Sequence, residues 1–414
     1  MKTPAGRYLL ISLSLLAVCA PAQILDLRGA VRNKAVNRVN NHIDQTLDKG
    51  LDKIESSIKD CVKTNEKIKD APDAGQDAVQ SNQAALQTYS KYDFIPGEKV
   101  IFYDDFSQDN IGDFPVLWNT NASGEVVNTN LFPGKWFQIK EEGFYIPETK
   151  GDFPDNFTVE FDWITSIQED RPGVDIGFYI VSGNMKDPSE GGAIPGVAGN
   201  KINIGEYSSD YDTYGEGAYS LSGSKDFLIS KNTKYHIACW VQKQRLRLYI
   251  NETKVFDVPK GIPEGYKYNI LRFEMGGESS PLISNFRVAT GLPDMRNKLI
   301  TEGKLVTYGI YFDVNSDKIK PESFGTLKGI AAVLNENPDV KVRILGYTDS
   351  DGNDAANLDL SKRRAASVKN ELSKNFAIDA SRMETDGKGE SEPVAPNDNP
   401  TNKALNRRVE FIKL

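Results

Sequence analysis

The chain has 414 residues, 58 acidic against 50 basic side chains, a formal charge of −8 and 39% hydrophobic residues. That length exceeds what one compact core serves, so two or three domains are expected. The acidic balance argues against a nucleic-acid partner and against docking on anionic lipid, since both need basic surface.

The first segment, 1–22, reads as a secretory signal: Lys2 and Arg7, an apolar run from Leu9 to Val18, then Ala20-Pro21-Ala22 before Gln23. Cleavage there leaves a secreted protein with no lipid anchor. A rival reading makes Cys19 a lipidated N-terminus, but Val18 stands where a small residue is usual. No later apolar run reaches the roughly 18 residues that a membrane span needs. After cleavage Cys61 and Cys239 remain, without metal-type spacing. They read as unpaired thiols, although an exposed Cys61 can join two copies of the chain in an oxidising compartment. His42 and His236 are the only histidines, too few for histidine-based metal or triad chemistry. No metal, cofactor or catalytic residue is expected.

From Leu27 the apolar residues Val31, Ala35, Val39, Ile43, Leu47, Leu51, Ile54 and Ile58 recur every three or four positions. This predicts an amphipathic helix over 23–68 with a narrow apolar stripe. Such a stripe packs on one partner, either the helix's own chain or a second copy in a coiled coil, which would be helix-mediated self-association. The stretch 69–95, rich in Ala, Gln, Asp and Ser, reads as a weakly helical linker.

Over 96–293 short runs of alternating, aromatic and β-branched residues recur between turn clusters. They are Val100 to Phe106, Trp136 to Lys140, Phe157 to Thr165, Val174 to Val181, Tyr235 to Val241, Leu246 to Ile250, Ile270 to Met275 and Ile283 to Val288. Strands at this spacing predict an antiparallel β-sandwich. Val159, Phe161 and Trp163 point inward, which leaves Thr158, Glu160 and Asp162 on a solvated outer face. The segment Tyr235 to Val241 followed by Leu246 to Asn251 resembles the hairpin of concanavalin A-like and laminin G-like jelly rolls. Glu160-Phe161-Asp162 resembles the opening of a glucanase motif, yet Ile164 and Thr165 stand where its second carboxylate belongs. Without an acid/base pair the chain is not read as an enzyme. Trp118, Tyr211, Tyr214 and Tyr219 lie among Gly, Ser and Asp, where rings either stack on sugars or pack in loops. Asp104-Asp105 offers too few oxygens for calcium and reads as structural.

Over 300–414 strands alternate with helices. A strand runs from Leu305 through Phe312, and a helix after Pro321 carries Phe324, Leu327, Ile330, Ala331 and Leu334. Then come a strand from Lys341 to Leu345, a helix ending at Leu372 and a last strand from Arg408 to Leu414. The whole is a multidomain α+β chain: helix, antiparallel sandwich, then an α/β sandwich with helices on one face. Where the Lys341 strand ends, Gly346-Tyr347-Thr348-Asp349 opens a loop, and Arg364 sits near the start of the next helix. An acid on a strand end and a guanidinium on the following helix suit a ligand with both an ammonium and a carboxylate.

These motifs, with Asn357-Leu358-Asp359-Leu360-Ser361 and Asn406-Arg407-Arg408-Val409-Glu410, resemble the OmpA C-terminal-like domain shared with Pal and MotB proteins. The match runs from about Tyr308 to Leu414. The resemblance implies peptidoglycan as partner, with Asp349 and Arg364 clamping the free amino-acid end of diaminopimelate in the stem peptide. It implies further contacts from Asn315, in Phe312-Asp313-Val314-Asn315, and from Asn357. Asp351 departs from the family pattern, and its carboxylate would oppose an anionic peptide. The implied function is non-covalent tethering to the wall in the periplasm or at the outer membrane, with the sandwich presented to a glycan or an envelope protein. The alternative is a carbohydrate-binding or glycan-degrading sandwich merely anchored to the wall.

Overall fold

The structure, a computed structural model, describes residues 92–414 apart from 166–175, 186, 216–219, 231, 276–279 and 293. The expected signal, amphipathic helix and most of the linker, with Cys19, Cys61, His42 and Tyr219, lie outside the described residues. The described part belongs to one compact unit, Gln87–Leu414.

Among the described residues, fifteen strands build the first region. They are β1 Lys99–Asp104, β2 Trp118–Thr120, β3 Gly124–Asn128, β4 Lys135–Ile139 and β5 Gly143–Pro147, then β6 Asn156–Ile164, β7 Ile176–Ser182, β8 Ala198–Ile204, β9 Ser208–Gly215 and β10 Leu221–Asp226. β11 Lys234–Gln242, β12 Arg245–Ile250, β13 Thr253–Val258, β14 Ile270–Met275 and β15 Leu282–Thr290 complete them. One antiparallel sheet runs β13-β12-β11-β6-β15-β4-β3 with β1 also paired to β15, and the other runs β10-β9-β8-β7-β14-β5-β2. Their inner faces share one core, in which the Phe161 and Phe273 rings meet edge-on at 5.1 Å and Phe178 lies 5.1 Å from Phe273. Cys239 is a free thiol buried in this core. Asp104 is structural, as expected: its carboxylate accepts the Phe106 N–H at 2.9 Å and the Trp118 indole N–H at 3.0 Å.

All eight expected strands are present. The seven not anticipated include polar ones such as β9, Ser-Ser-Asp-Tyr-Asp-Thr-Tyr-Gly, and β10, Leu-Ser-Gly-Ser-Lys-Asp. Side by side at a sheet edge, they need backbone pairing more than apolar faces.

The expected solvated face of β6 is corrected. Thr158, Glu160 and Asp162 are at most 3% exposed, because the C-terminal region packs over this side of the sheet. Trp240 on β11 and Tyr249 on β12 share that outer side and pack with Tyr92 and Phe94 of the entering segment. Residues 92–95, the end of the expected linker, are therefore part of the packed structure.

The C-terminal region holds four strands, β16 Lys304–Thr307, β17 Val342–Tyr347, β18 Met383–Gly389 and β19 Val409–Lys413, in the order β16-β19-β17-β18. Its helices are α1 Phe324–Glu336, α2 Asp354–Phe376 and α3 Pro400–Asn406. Leu327, Ile330 and Leu334 of α1 share a core with Ala365, Val368 and Leu372 of α2 and with Ile344 and Phe411 of the sheet. The helical spacing of those apolar residues is what aligns the two stripes on one core. The first strand stops at Thr307 rather than running through Phe312. Beyond it Phe312 makes only an isolated bridge to Ile319, and Asn315 turns the chain with φ of 53°.

Two close approaches fasten the regions together. A β-carbon on Gly325 of α1 would collide with the Phe94 carbonyl, so the helix start rests directly on the segment that covers β11 and β12. On the other flank, the Tyr103 N–H of β1 donates to the Thr401 hydroxyl of α3 at 2.9 Å.

Candidate ligand-binding site

Strand β17 ends where its backbone meets α2: a β-carbon on Gly346 would strike the Ser361 carbonyl. The glycine thus brings the strand end and the helix start together, as the loop motif required. Asn353 caps α2 by accepting the N–H groups of Ala355 and Ala356 at 2.9 and 3.3 Å. The loop between is braced from within. Asn357 donates to the Asp349 carbonyl at 3.3 Å, the Asp351 carbonyl at 3.1 Å and the Glu390 carboxylate at 2.6 Å. Its amide hydrogens thus hold the loop.

Asp349 is buried, and its Oδ2 accepts from Arg407 Nη1 at 2.6 Å while Oδ1 accepts the Asp351 N–H at 3.1 Å. Arg364 forms no such pair among the described residues. Its Nε donates to the Ser316 carbonyl at 3.0 Å, its Nη2 to the Asp313 carbonyl at 3.4 Å, and its guanidinium lies 4.8 Å from the centre of the Phe312 ring. Arg363, not Arg364, bonds to Asp359, at 2.8 Å. Burial draws the Arg364 guanidinium down to about 10, nearby Arg407 adds to this, and Asp349 opposes it. A desolvated arginine without an acid partner among the described residues has the chemistry to hold an anion. Asn315 is exposed on the turn that supplies the Asp313 and Ser316 carbonyls. The extra carboxylate of Asp351 is neutralised by Lys403 at 2.7 Å. Arg408 is structural, bonded to Glu410 at 2.9 Å and to the Glu392 carbonyl at 3.0 Å.

Arg364 opens on a cavity of about 170 Å³. Its lining comes from both regions: Arg364, Arg407, Arg408, Tyr347 and Glu322 from the C-terminal side, and Tyr103, Glu160, Asp162, His236, Asn285 and Arg287 from the sandwich. Sequence reasoning missed the sandwich half. Glu160 is held by Arg287 at 3.3 Å and by the Tyr311 hydroxyl at 2.7 Å, and Tyr311 also accepts from Arg287. His236 Nδ1 lies 2.9 Å from Asp162. Burial by itself would lower the imidazole, but hydrogen bonding to Asp162 and Glu160 outweighs it and raises the group to about 10. Glu160 and Asp162 are pulled below the usual carboxylate range: burial opposes this, but Arg287 outweighs it for Glu160, and Lys234 and Lys320 for Asp162. A signal was present in the outer faces of β11 and β12, where Trp240 and Tyr249 are too apolar for open solvent.

The rings considered for sugar stacking are in part packed away. Trp118 is buried against Phe137 at 5.5 Å, Tyr211 meets Phe256 edge-on at 5.0 Å, and the Tyr214 hydroxyl donates to the Pro195 carbonyl at 2.9 Å.

Comparison with known families bears on this half of the molecule, since the OmpA family model matches residues 311–407. Residues 311–407 are an OmpA-family domain. Over 102 residues the chain is 45% identical to the probable lipoprotein YiaD of Escherichia coli, covering 25% of this chain and 46% of that protein. It is 36% identical over 111 residues to outer membrane porin F of Pseudomonas aeruginosa, covering 27% and 32%. The chain thus spans less than half the length of each of these relatives. Among solved structures, the peptidoglycan-associated lipoprotein of Burkholderia pseudomallei is similar at 26% identity and a TM-score of 0.25, covering 29% of this chain and 98% of that one. A carbohydrate-binding module of Bacillus subtilis is similar at 17% identity and a TM-score of 0.30, covering 42% and 96%. The OmpA-family domain carries Asp349, Arg364, Asn315, Asn357 and the Arg407 that occupies Asp349.

Proposed function

We propose that this chain is a non-enzymatic cell-envelope protein that tethers itself to peptidoglycan through the diaminopimelate-containing stem peptide. The observation that carries the reading is Arg364, a guanidinium of the OmpA-family domain without an acid partner among the described residues, which lines the cavity shared with the sandwich. Arg364 receives the free carboxylate of the ligand. Asp349 retains acceptor capacity beyond its bonds to Arg407 and Asp351, and offers it to the ammonium. Asn357 keeps that acid in place by bracing the loop, and Asn315 borders the turn behind Arg364. Its relatives are named as outer-membrane proteins and lipoproteins, which supports a place in the periplasm or at the outer membrane. The two antiparallel sheets support reading the sandwich as a concanavalin A-like jelly roll that presents a surface to an envelope partner.

Charge-assisted bonds contribute about 1.5–3 kcal/mol each, so removing Arg364 should weaken binding by about ten- to a hundredfold. Pull-down of the purified protein with cell-wall sacculi measures this. Equal retention of wild type and Arg364→Ala would refute the assignment.

A further inference from the structure

The cavity has a second wall, and it belongs to the sandwich. Most cations that line it are matched by an acid: Arg287 by Glu160 at 3.3 Å, His236 by Asp162 at 2.9 Å, Arg407 by Asp349 at 2.6 Å. Arg364 alone is held only by carbonyls. Polar atoms are nonetheless left over on both walls. Among the described residues Arg287 Nη2 has no hydrogen-bond partner and neither does one acceptor, Glu322 Oε2, whereas His236 Nε2 lies 3.4 Å from Glu160 Oε2 and Arg407 Nη2 lies 3.7 Å from Asp105 Oδ2. Arg287, His236 and Glu322 are 5%, 9% and 7% exposed, so bulk water does not reach them freely. Orphaned buried polar atoms are costly, and Arg287 and Glu322 both line the same open space. An interior of about 170 Å³ is of the order that takes one ring-sized organic group, since a cavity of about 150 Å³ holds benzene.

Two contacts hold the sandwich and the OmpA-family domain together at this wall. Gly325 admits the Phe94 carbonyl, and the Tyr311 hydroxyl of the OmpA-family domain donates to Glu160 of the sandwich at 2.7 Å. The groups left over are one guanidinium donor, on Arg287, and one carboxylate oxygen, on Glu322, and they share the cavity with the acid-free guanidinium of Arg364. Their complement is a ligand with more than one carboxylate and an ammonium.

We propose that the sandwich completes the ligand site: Arg287, with His236 beside it, receives a second carboxylate of an amino-acid ligand whose first is held by Arg364, and Glu322 receives an ammonium. The proposal rests on the stem-peptide reading for its first anchor, Arg364. The sandwich is then a fixed wall that reads the ligand's far end, not a lid to be displaced.

The test compares meso-diaminopimelate with L-lysine, which lacks only the second carboxylate, by calorimetric or NMR titration of the full chain. Wild type should prefer meso-diaminopimelate by about tenfold or more, as expected for one charge-assisted contact. Arg287→Gln should abolish that preference while leaving lysine binding within a few-fold. Because this variant leaves Glu160 without its guanidinium and can fail to fold, the wild-type protein labelled with [15N]arginine supplies a second readout. The Arg287 Nε–H signal should shift with meso-diaminopimelate and stay in place with lysine. Equal affinity for the two compounds in wild type, an unchanged preference in the variant, or an unmoved Arg287 signal overturns the proposal. Tighter binding by Arg287→Gln would identify the sandwich as a lid and overturns it too. Failure of the tethering reading looks different: sacculi retained equally by Arg364→Ala while the preference for meso-diaminopimelate persists. Binding of neither compound by wild type rejects both.

Discussion

A carboxylate sealed beside a tryptophan must keep its hydrogen bonds at the cost of its charge. Asp104 is fully buried, and burial raises its pKa to about 7 against the pull of the Phe106 N–H bond. In the unfolded chain the group titrates near 4, so between about pH 4 and 7 the folded state holds a proton that the unfolded state has lost. Its contribution to stability is therefore greatest in acid and declines as the pH rises to about 7. Asp104→Asn removes the titration and one acceptor, so at pH 5 it should be about 1–2 kcal/mol less stable than wild type. That gap should narrow or reverse by pH 8. Urea unfolding at several pH values measures it, and parallel curves for the two proteins would contradict the burial argument. The candidate site was only half legible at this scale. Strand-loop-helix spacing put Asp349 on the loop and Arg364 on the helix that follows, but which arginine the acid would choose depended on Arg407, which arrives just after α3.

Elements with an alternating apolar face, such as β6 and β11, were readable because the inner side of each declares itself in Val, Ile, Phe and Trp. Polar elements were not: β10 at a sheet edge and β18, Met-Glu-Thr-Asp-Gly-Lys-Gly, exist because a neighbouring backbone pairs with them. The contact of α1 with the Phe94 segment is a further case, since a helical glycine is by itself only a mild cost. Alanine at an ordinary helix position would stabilise by about 0.5–1 kcal/mol. At Gly325 it must push the Phe94 carbonyl aside, so Gly325→Ala should instead destabilise the protein by about 1–3 kcal/mol in denaturant melts. A gain in stability would mean that the helix does not rest on this segment.

For the molecule as a whole, the consequence is that sandwich and OmpA-family domain behave as one body. Glu160, Asp162, His236 and Arg287 have surrendered their water to each other and to Tyr311, and separating the two parts would return buried ions to solvent only by breaking that network. A calorimetric scan of the full chain should accordingly show the two melting in a single transition, with tryptophan fluorescence, reporting mainly on the sandwich, coincident with it. Two resolved steps would argue for independent domains. The order of residues along the chain was enough to indicate antiparallel β-structure followed by an OmpA-family domain, and a loop acid followed by an arginine on the next helix. Those follow from periodicity, turn chemistry and motif spacing, all of which are local. Only the tertiary structure decided that the outer face of β6 is covered and that the guanidinium of Arg407, just after α3, occupies Asp349. It also decided that the cavity beside Arg364 is walled by the sandwich. Each of these depends on groups distant in sequence meeting with matched shape and charge, and no local pattern encodes such a meeting.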